Sequence, residues 1–295
     1  MRVRKIANAP VSFGVFELSD APPPLSADEM VHALSEAGYE GIDLGPLGYL
    51  GTGADLAARL GDLALAGGWA DLPYNDEDGF RRALPALDAT LDVFASVPAG
   101  ALPPRPTLGC SGSPERFARP GGSAPGLVPS EWPAYAARVQ EAADRCRERG
   151  FEPAFHHHLG TYVETPDDVE HLLELTDVQL CLDTGHLLLA GGDPVTALHA
   201  WADRVGHVHI KDGDTKILAT ALAEGVDLRE LMGRGGFAPL GEGELDLPGV
   251  VRALDDIGYA GWIVIEQDTL PGRRTVAQNI ADQAANRRKL KDLGL

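Results

Sequence analysis

Eight of the nine histidines fall between positions 156 and 209, and only His32 lies outside that stretch. They gather at His156-His157-His158, around Asp183 and His186 in DTGH, and in HVHIKD from His207 to Asp212, while a fourth segment, WIVIEQD, adds Glu266. Imidazole mixed with carboxylate suits Mn, Fe, Co, Ni or Zn, and the oxygen share also admits Mg. Side chains alternate along a strand, so His156 and His158 share a face that His157 does not. His207, His209 and Lys211 likewise share one, and Asp183 and Glu266 each close a short apolar run. A single buried histidine need only satisfy its hydrogen bonds. Four consecutive strand ends that each present a polar group at one rim ask for more, and we read His156, Asp183, His209 and Glu266 as ligands of one divalent metal ion. Mn2+ or Co2+ is the first expectation, with Mg2+, Zn2+, Fe2+ and Ni2+ compatible.

The neighbouring polar residues take supporting roles in this reading. Lys211 is an electrophile or proton donor, and Asp212 fixes a histidine tautomer or touches substrate. His158 and His186 orient ligands or meet substrate. Trp69 and Asp71 after the third strand, and Ser12 and Phe13 after the first, are further pocket candidates. His171 and His199 belong to helices and are read as surface or packing residues.

The elements that must position these groups are legible as a repeated phrase. An amphipathic helix ends at Gly, an aromatic residue follows, and a short apolar strand begins: SEAGYEGIDL, RERGFEPAFH and DDIGYAGWIVI. Glycine supplies the left-handed conformation that closes the helix. Ser26 with Glu29 has capping-box spacing, and Thr165-Pro166 and Asp193-Pro194 put a cap before a proline at the first helical position. Strands are expected near 3–8, 42–45, 64–69, 105–110, 152–158, 178–183, 205–211 and 262–266, with helices between most of them. Eight strands alternating with helices predict an α/β fold, a (β/α)8 TIM barrel, as one domain over residues 1–295. No glycine-rich dinucleotide or P-loop fingerprint interrupts the alternation. Two segments exceed ordinary loops, 97–129 and 213–244, and both lie where barrel enzymes build their sites.

Composition narrows the partners. A formal charge of −19 over 295 residues disfavours nucleic acid. No run approaches the roughly 20 apolar residues of a membrane span. The opening MRVRKIANAPVSFGVF lacks a long apolar core and cleavage site, so no signal peptide is expected. The three cysteines, Cys110, Cys146 and Cys181, are odd in number and widely spaced, which fits a reducing cytoplasm.

At these residues the sequence resembles the xylose isomerase-like TIM-barrel superfamily of sugar isomerases, epimerases and dehydratases. HHHLGTYVET, CLDTGHLLLAGGDP and HVHIKD are most similar to the inosose dehydratase branch, whose substrate is 2-keto-myo-inositol. The resemblance implies one divalent metal held by Glu, Asp, His and Glu. Asp183, His209 and Glu266 match the last three, and His156 stands where many members have the first glutamate. It also implies a small-molecule carbohydrate or cyclitol substrate, and is compatible with a homo-oligomer.

With His156 in place of a carboxylate, the paired carboxylates that epimerases of the superfamily use lose their symmetry. Asymmetry fits elimination, in which one group takes a proton α to a carbonyl and another protonates the departing hydroxyl. Glu266, His156 and Lys211 are the expected proton carriers. The expected function is therefore a metal-dependent sugar or polyol lyase. A sugar epimerase or isomerase on the same metal site is the alternative, and a non-catalytic sugar-binding barrel the second. An endonuclease of the same superfamily would need further histidines from strands two to four, which are absent. A dehydratase of cyclic keto acids would need arginines at the rim, for which Arg105, Arg116, Arg119, Arg234, Arg273 and Arg274 are candidates.

Overall fold

A computed structural model describes residues 3–15, 22–98 and 100–295. Met1, Arg2 and Phe16 of the opening stretch, and Ala99 of the 97–129 segment, lie outside the described residues. The strands are β1 (Arg4–Asn8), β2 (Gly41–Asp43), β3 (Ala64–Leu72), β4 (Arg105–Cys110), β5 (Ala154–His156), β6 (Gln179–Asp183), β7 (Val205–Ile210), β8 (Asp212–Gly213), β9 (Phe237–Ala238) and β10 (Gly261–Ile265). Strands β1 to β7 and β10 run parallel and close a barrel in which β1 pairs with both β2 and β10. This is the expected (β/α)8 architecture, and the short antiparallel pair β8–β9 stands apart from it.

Alternation along the strands divides the apolar residues into two cores. Ile263 and Ile265 join Phe155, Leu180, Leu182, Val208 and Ile210 in the large cluster shared with the helices. Trp262 and Val264, on the opposite face of β10, pack with Ala7, Ala9 and Ala66 as a separate cluster inside the barrel. Burying one such Leu, Ile or Val side chain contributes roughly 1.5–3 kcal/mol. Glu266 continues the inward series of Trp262 and Val264.

Local chemistry sets the helix limits. Ser26 accepts from the Glu29 amide and Glu29 accepts from that of Ser26, while Thr165 and Asp168 do the same. Asp193 caps the helix that begins at Pro194. At the far end of the first helix Gly38 adopts φ 83°, and the chain turns directly into β2.

Three boundaries differ from expectation. β5 ends at His156, so His158 lies in the following loop, where its amide donates to the Val163 carbonyl (3.1 Å). β2 begins one residue earlier than expected, at Gly41, and stops at Asp43. β3 continues to Leu72 because it pairs with β4 along Gly67–Leu72, which places Trp69 and Asp71 within the strand.

Both long segments fold over the same end of the barrel. Residues 213–244 contain helices Thr215–Glu224 and Leu228–Gly233 and strand β9. Residues 97–129 carry β4 and helix Pro114–Ala118, and the buried Glu164 holds this segment by accepting from the amides of Gly121 (2.9 Å), Gly122 (3.1 Å) and Gly160 (2.8 Å). The last helix, Val276–Asp292, buries the amides of Asn279, Gln283 and Asn286 beside Leu290. Gln283 accepts from Asn8 (3.0 Å) and Asn286 (3.2 Å) and donates to Gln267 (3.1 Å), and Asn286 accepts from the Leu240 amide (2.9 Å). Among the described residues, no helix is long and apolar enough to cross a membrane.

Candidate metal centre and pocket

Register brings the four proposed ligands to one level of the barrel. His156 pairs with Cys181, Asp183 pairs with His209, and Glu266 follows β10 directly. His156 Nε2 lies 3.1 Å from His209 Nδ1 and 3.6 Å from Asp183 Oδ2, while His209 Nδ1 lies 3.8 Å from Asp183 Oδ2 and 3.2 Å from Glu266 Oε2. All four donor atoms fall within 4.8 Å of one another. Metal bonds of about 2.1 Å, at tetrahedral or octahedral angles, separate ligand atoms by roughly 3.0–3.5 Å. Asp183 Oδ1 accepts from the His186 amide (2.9 Å), whereas the buried Oδ2 accepts no hydrogen bond among the described residues. A donor set of two imidazoles and two carboxylates at these separations fits a divalent ion.

Lys211 sits at the edge of this cluster, fully buried. Its Nζ lies 2.7 Å from Asp268 Oδ1, 3.0 Å from Glu266 Oε2, 3.3 Å from Asp183 Oδ2 and 2.8 Å from His186 Nε2. The Phe237 ring of the 213–244 insertion covers it at 5.1 Å. Burial alone would discharge the amine, but the carboxylates of Asp183, Asp268 and Glu266 outweigh it and hold the ammonium charged. Burial pushes Asp268 up to about 6, against the pull of that ammonium.

The surrounding pocket encloses about 280 Å³. Trp69 and His158 form part of its wall, with Asp43, Asp71, Asp268 and Arg229 as further polar lining. Trp69 meets His156 edge-on at 5.2 Å between ring centres and His158 at 5.7 Å. It lies across β4 at Gly109, where an added Cβ would come within 2.0 Å of the indole. The insertions supply the mouth: Phe117 from one, Leu228, Arg229 and Met232 from the other.

Several expected pocket residues are placed elsewhere. His186 stacks behind His158 at 3.7 Å between ring centres and is not part of the lining. Asp212 points away from the pocket, because its carboxylate accepts from the amides of Gly213, Gly241, Gly243 and Leu245 at 2.7–3.1 Å. In this structure the carboxylate clasps the insertion. Phe13 is core, and the Ser12 hydroxyl accepts from the Gln267 amide (3.1 Å). His157 faces away from the cluster and accepts from the Asp183 amide (3.2 Å). Asp268, Asp43 and Arg229 escaped the sequence reading. Asp268 follows Glu266 by two residues, a spacing that was available as a signal. Arg229 lines the mouth, whereas none of the six arginines considered for an acidic substrate lines the pocket.

This chain belongs to the xylose isomerase-like TIM barrel family, whose profile matches residues 31–290. It is 32% identical over 276 residues to the rhizopine catabolism protein MocC of Rhizobium meliloti, an alignment covering 91% of this chain and 83% of MocC. It is 30% identical over 259 residues to the inosose dehydratase of Bacillus velezensis, covering 85% of this chain and 86% of that enzyme. Against several other inosose dehydratases the match spans about half of both chains, as with the 39% identical enzyme of Geobacillus kaustophilus. The solved structure of IolI with a bound zinc atom superposes with a TM-score of 0.71 at 16% identity, covering 98% of this chain and 97% of IolI, which shows the shared fold. The chain is an enzyme of the expected class, dehydratase or sugar isomerase and epimerase, the class to which its inosose dehydratase relatives belong.

Proposed function

We propose that this chain is a metal-dependent lyase that dehydrates a keto-cyclitol or keto sugar, such as 2-keto-myo-inositol. The observation that carries the reading is the buried Lys211 ammonium, set between Glu266 and Asp268 beside the four-residue donor cluster. Elimination is served by a base for the proton α to the carbonyl and an acid for the departing hydroxyl held in one pocket. Relatives that are inosose dehydratases support the same choice.

His156, Asp183, His209 and Glu266 would hold the divalent ion, which when bound polarises the substrate carbonyl and stabilises an enolate as a Lewis acid. The Asp268 carboxylate takes the proton α to that carbonyl. Lys211 Nζ gives a proton to the hydroxyl on the next carbon, which departs as water. The proton on Asp268 then crosses the 2.7 Å to Nζ and restores both groups. Glu266, 3.0 Å from Nζ, keeps the ammonium aimed at the reacting carbons. With an imidazole at His156, the donor cluster lacks the first of the paired carboxylates that the resembled epimerases use for proton return. Asp43 and Asp71 on the wall accept hydrogen bonds from substrate hydroxyls, and Trp69 and His158 offer ring surfaces to its carbon face. The Leu228–Gly233 helix and Phe117 exclude water from the mouth.

Metal analysis of the purified protein, then incubation with 2-keto-myo-inositol and a panel of keto sugars followed by mass spectrometry, tests the reading. About one divalent ion per chain and a product lighter by one water are expected. An isobaric product would replace the lyase with an epimerase or isomerase on the same centre. Sugar binding without metal or turnover would replace it with a non-catalytic barrel.

A further inference from the structure

Beneath the carboxylate side of the centre, the barrel presents a sulfur atom. Cys181 precedes Asp183 by two residues on β6, so both side chains enter the barrel from the same strand. Cys181 pairs in register with His156 of β5 and His207 of β7. It is free and fully buried. Its Sγ and one ring nitrogen each from His156 and His209 all lie within 4.8 Å of one another, and all three residues are buried. His156 Nδ1 has no hydrogen-bond partner among the described residues, and neither ring nitrogen of His207, one level below, has one either.

Resting on the reading of this cluster as a metal centre, we propose that it has two overlapping seats. Hard ions such as Mn2+ and Mg2+ sit on the Asp183–Glu266 side. Thiophilic ions such as Cd2+ and Zn2+ sit lower, on His156, His209 and Cys181. Both seats use the same two imidazoles, so only one is filled at a time. Thiolate sulfur is a soft donor that Zn, Cd and Co accept readily, while Mg and Mn favour carboxylate and water oxygens. Seating an ion on Cys181 exchanges the S–H bond for a sulfur–metal bond and releases one proton to solvent.

The test uses the whole chain stripped of metal and titrated with Cd2+ while ultraviolet absorbance is recorded. A sulfur-to-metal charge-transfer band that saturates at about one equivalent is expected for the wild type and for a Cys110→Ser/Cys146→Ser variant. Cys181→Ser should lack the band, bind Cd2+ at least ~10-fold more weakly, and take up Mn2+ with unchanged affinity. X-ray absorption of the Zn2+-loaded wild type, which needs no substitution, should show one sulfur neighbour. A band that survives in Cys181→Ser, or a zinc site with nitrogen and oxygen neighbours alone, overturns the lower seat. Should that happen while Mn2+ still binds and supports loss of water, the lyase reading stands by itself. Failure to bind any ion overturns both.

Discussion

At the residue scale, the centre depends on side chains that strand alternation brings inward, and substitutions there separate roles. Asp183→Ala or Glu266→Ala should abolish metal uptake and turnover while circular dichroism retains the helix content; full occupancy in either variant would remove that residue from the ligand set. Lys211→Met should keep the ion and lose at least ~100-fold in kcat, the ordinary contribution of a positioned proton donor. His157→Ala should leave metal stoichiometry unchanged yet cost roughly 1–3 kcal/mol in a denaturant titration, because the buried Asp183 amide loses its acceptor. Alternation in the sequence was enough to separate His156 from His157 and to group His209 with Lys211. It gave no sign at Asp212 that a turn would hand the carboxylate to four amides. Asp268 was missed because the reading stopped at the end of the apolar run, one inward step too soon.

At the element scale, caps and junction glycines were legible because each is a local bargain between one side chain and one or two amides. Lengths set by a neighbouring strand were not: β3 is prolonged by its pairing with β4, and β5 is cut short after His156. The inward amides of the last helix were equally hidden, since Asn279, Gln283 and Asn286 look in sequence like a solvated face. The insertion over the pocket should loosen when its clasp is removed. Asp212→Ala is expected to raise KM and to speed tryptic cleavage at Lys216, Arg229 or Arg234, with the barrel helices intact. Between helices Glu77–Ser96 and Trp132–Glu148, Arg145 grips Asp88 with two bonds of 2.7 and 2.6 Å, which lowers the Asp88 pKa. A depressed carboxylate pKa contributes stability above its unfolded value, near 3.9, and that contribution fades as the pH falls through the folded value. Asp88→Asn should therefore lower stability by about 0.5 kcal/mol at neutral pH, a screened surface value, and the difference should shrink progressively as the pH falls below the unfolded value when thermal midpoints are compared.

For the whole molecule, eight repeats of helix and strand announced the barrel, but not how its insertions meet above it, since that depends on contacts between residues far apart in the chain. A ligand that binds only the folded barrel stabilises it by mass action. Mn2+ at a hundred times its Kd should add about 2.7 kcal/mol, several degrees in Tm, and the gain should vanish in Asp183→Ala. The closing pair of strands has a consequence for how the chain is made. β1 and β10 lie roughly 260 residues apart, and β1 keeps an unpaired edge until β10 has left the ribosome. Each proposed metal donor lies at or beyond His156, and Glu266 emerges after β10 itself. During synthesis the nascent chain therefore offers imidazoles and a thiol to free cations before the last carboxylate exists, so whichever ion is abundant where translation occurs has the first opportunity to occupy the half-built barrel.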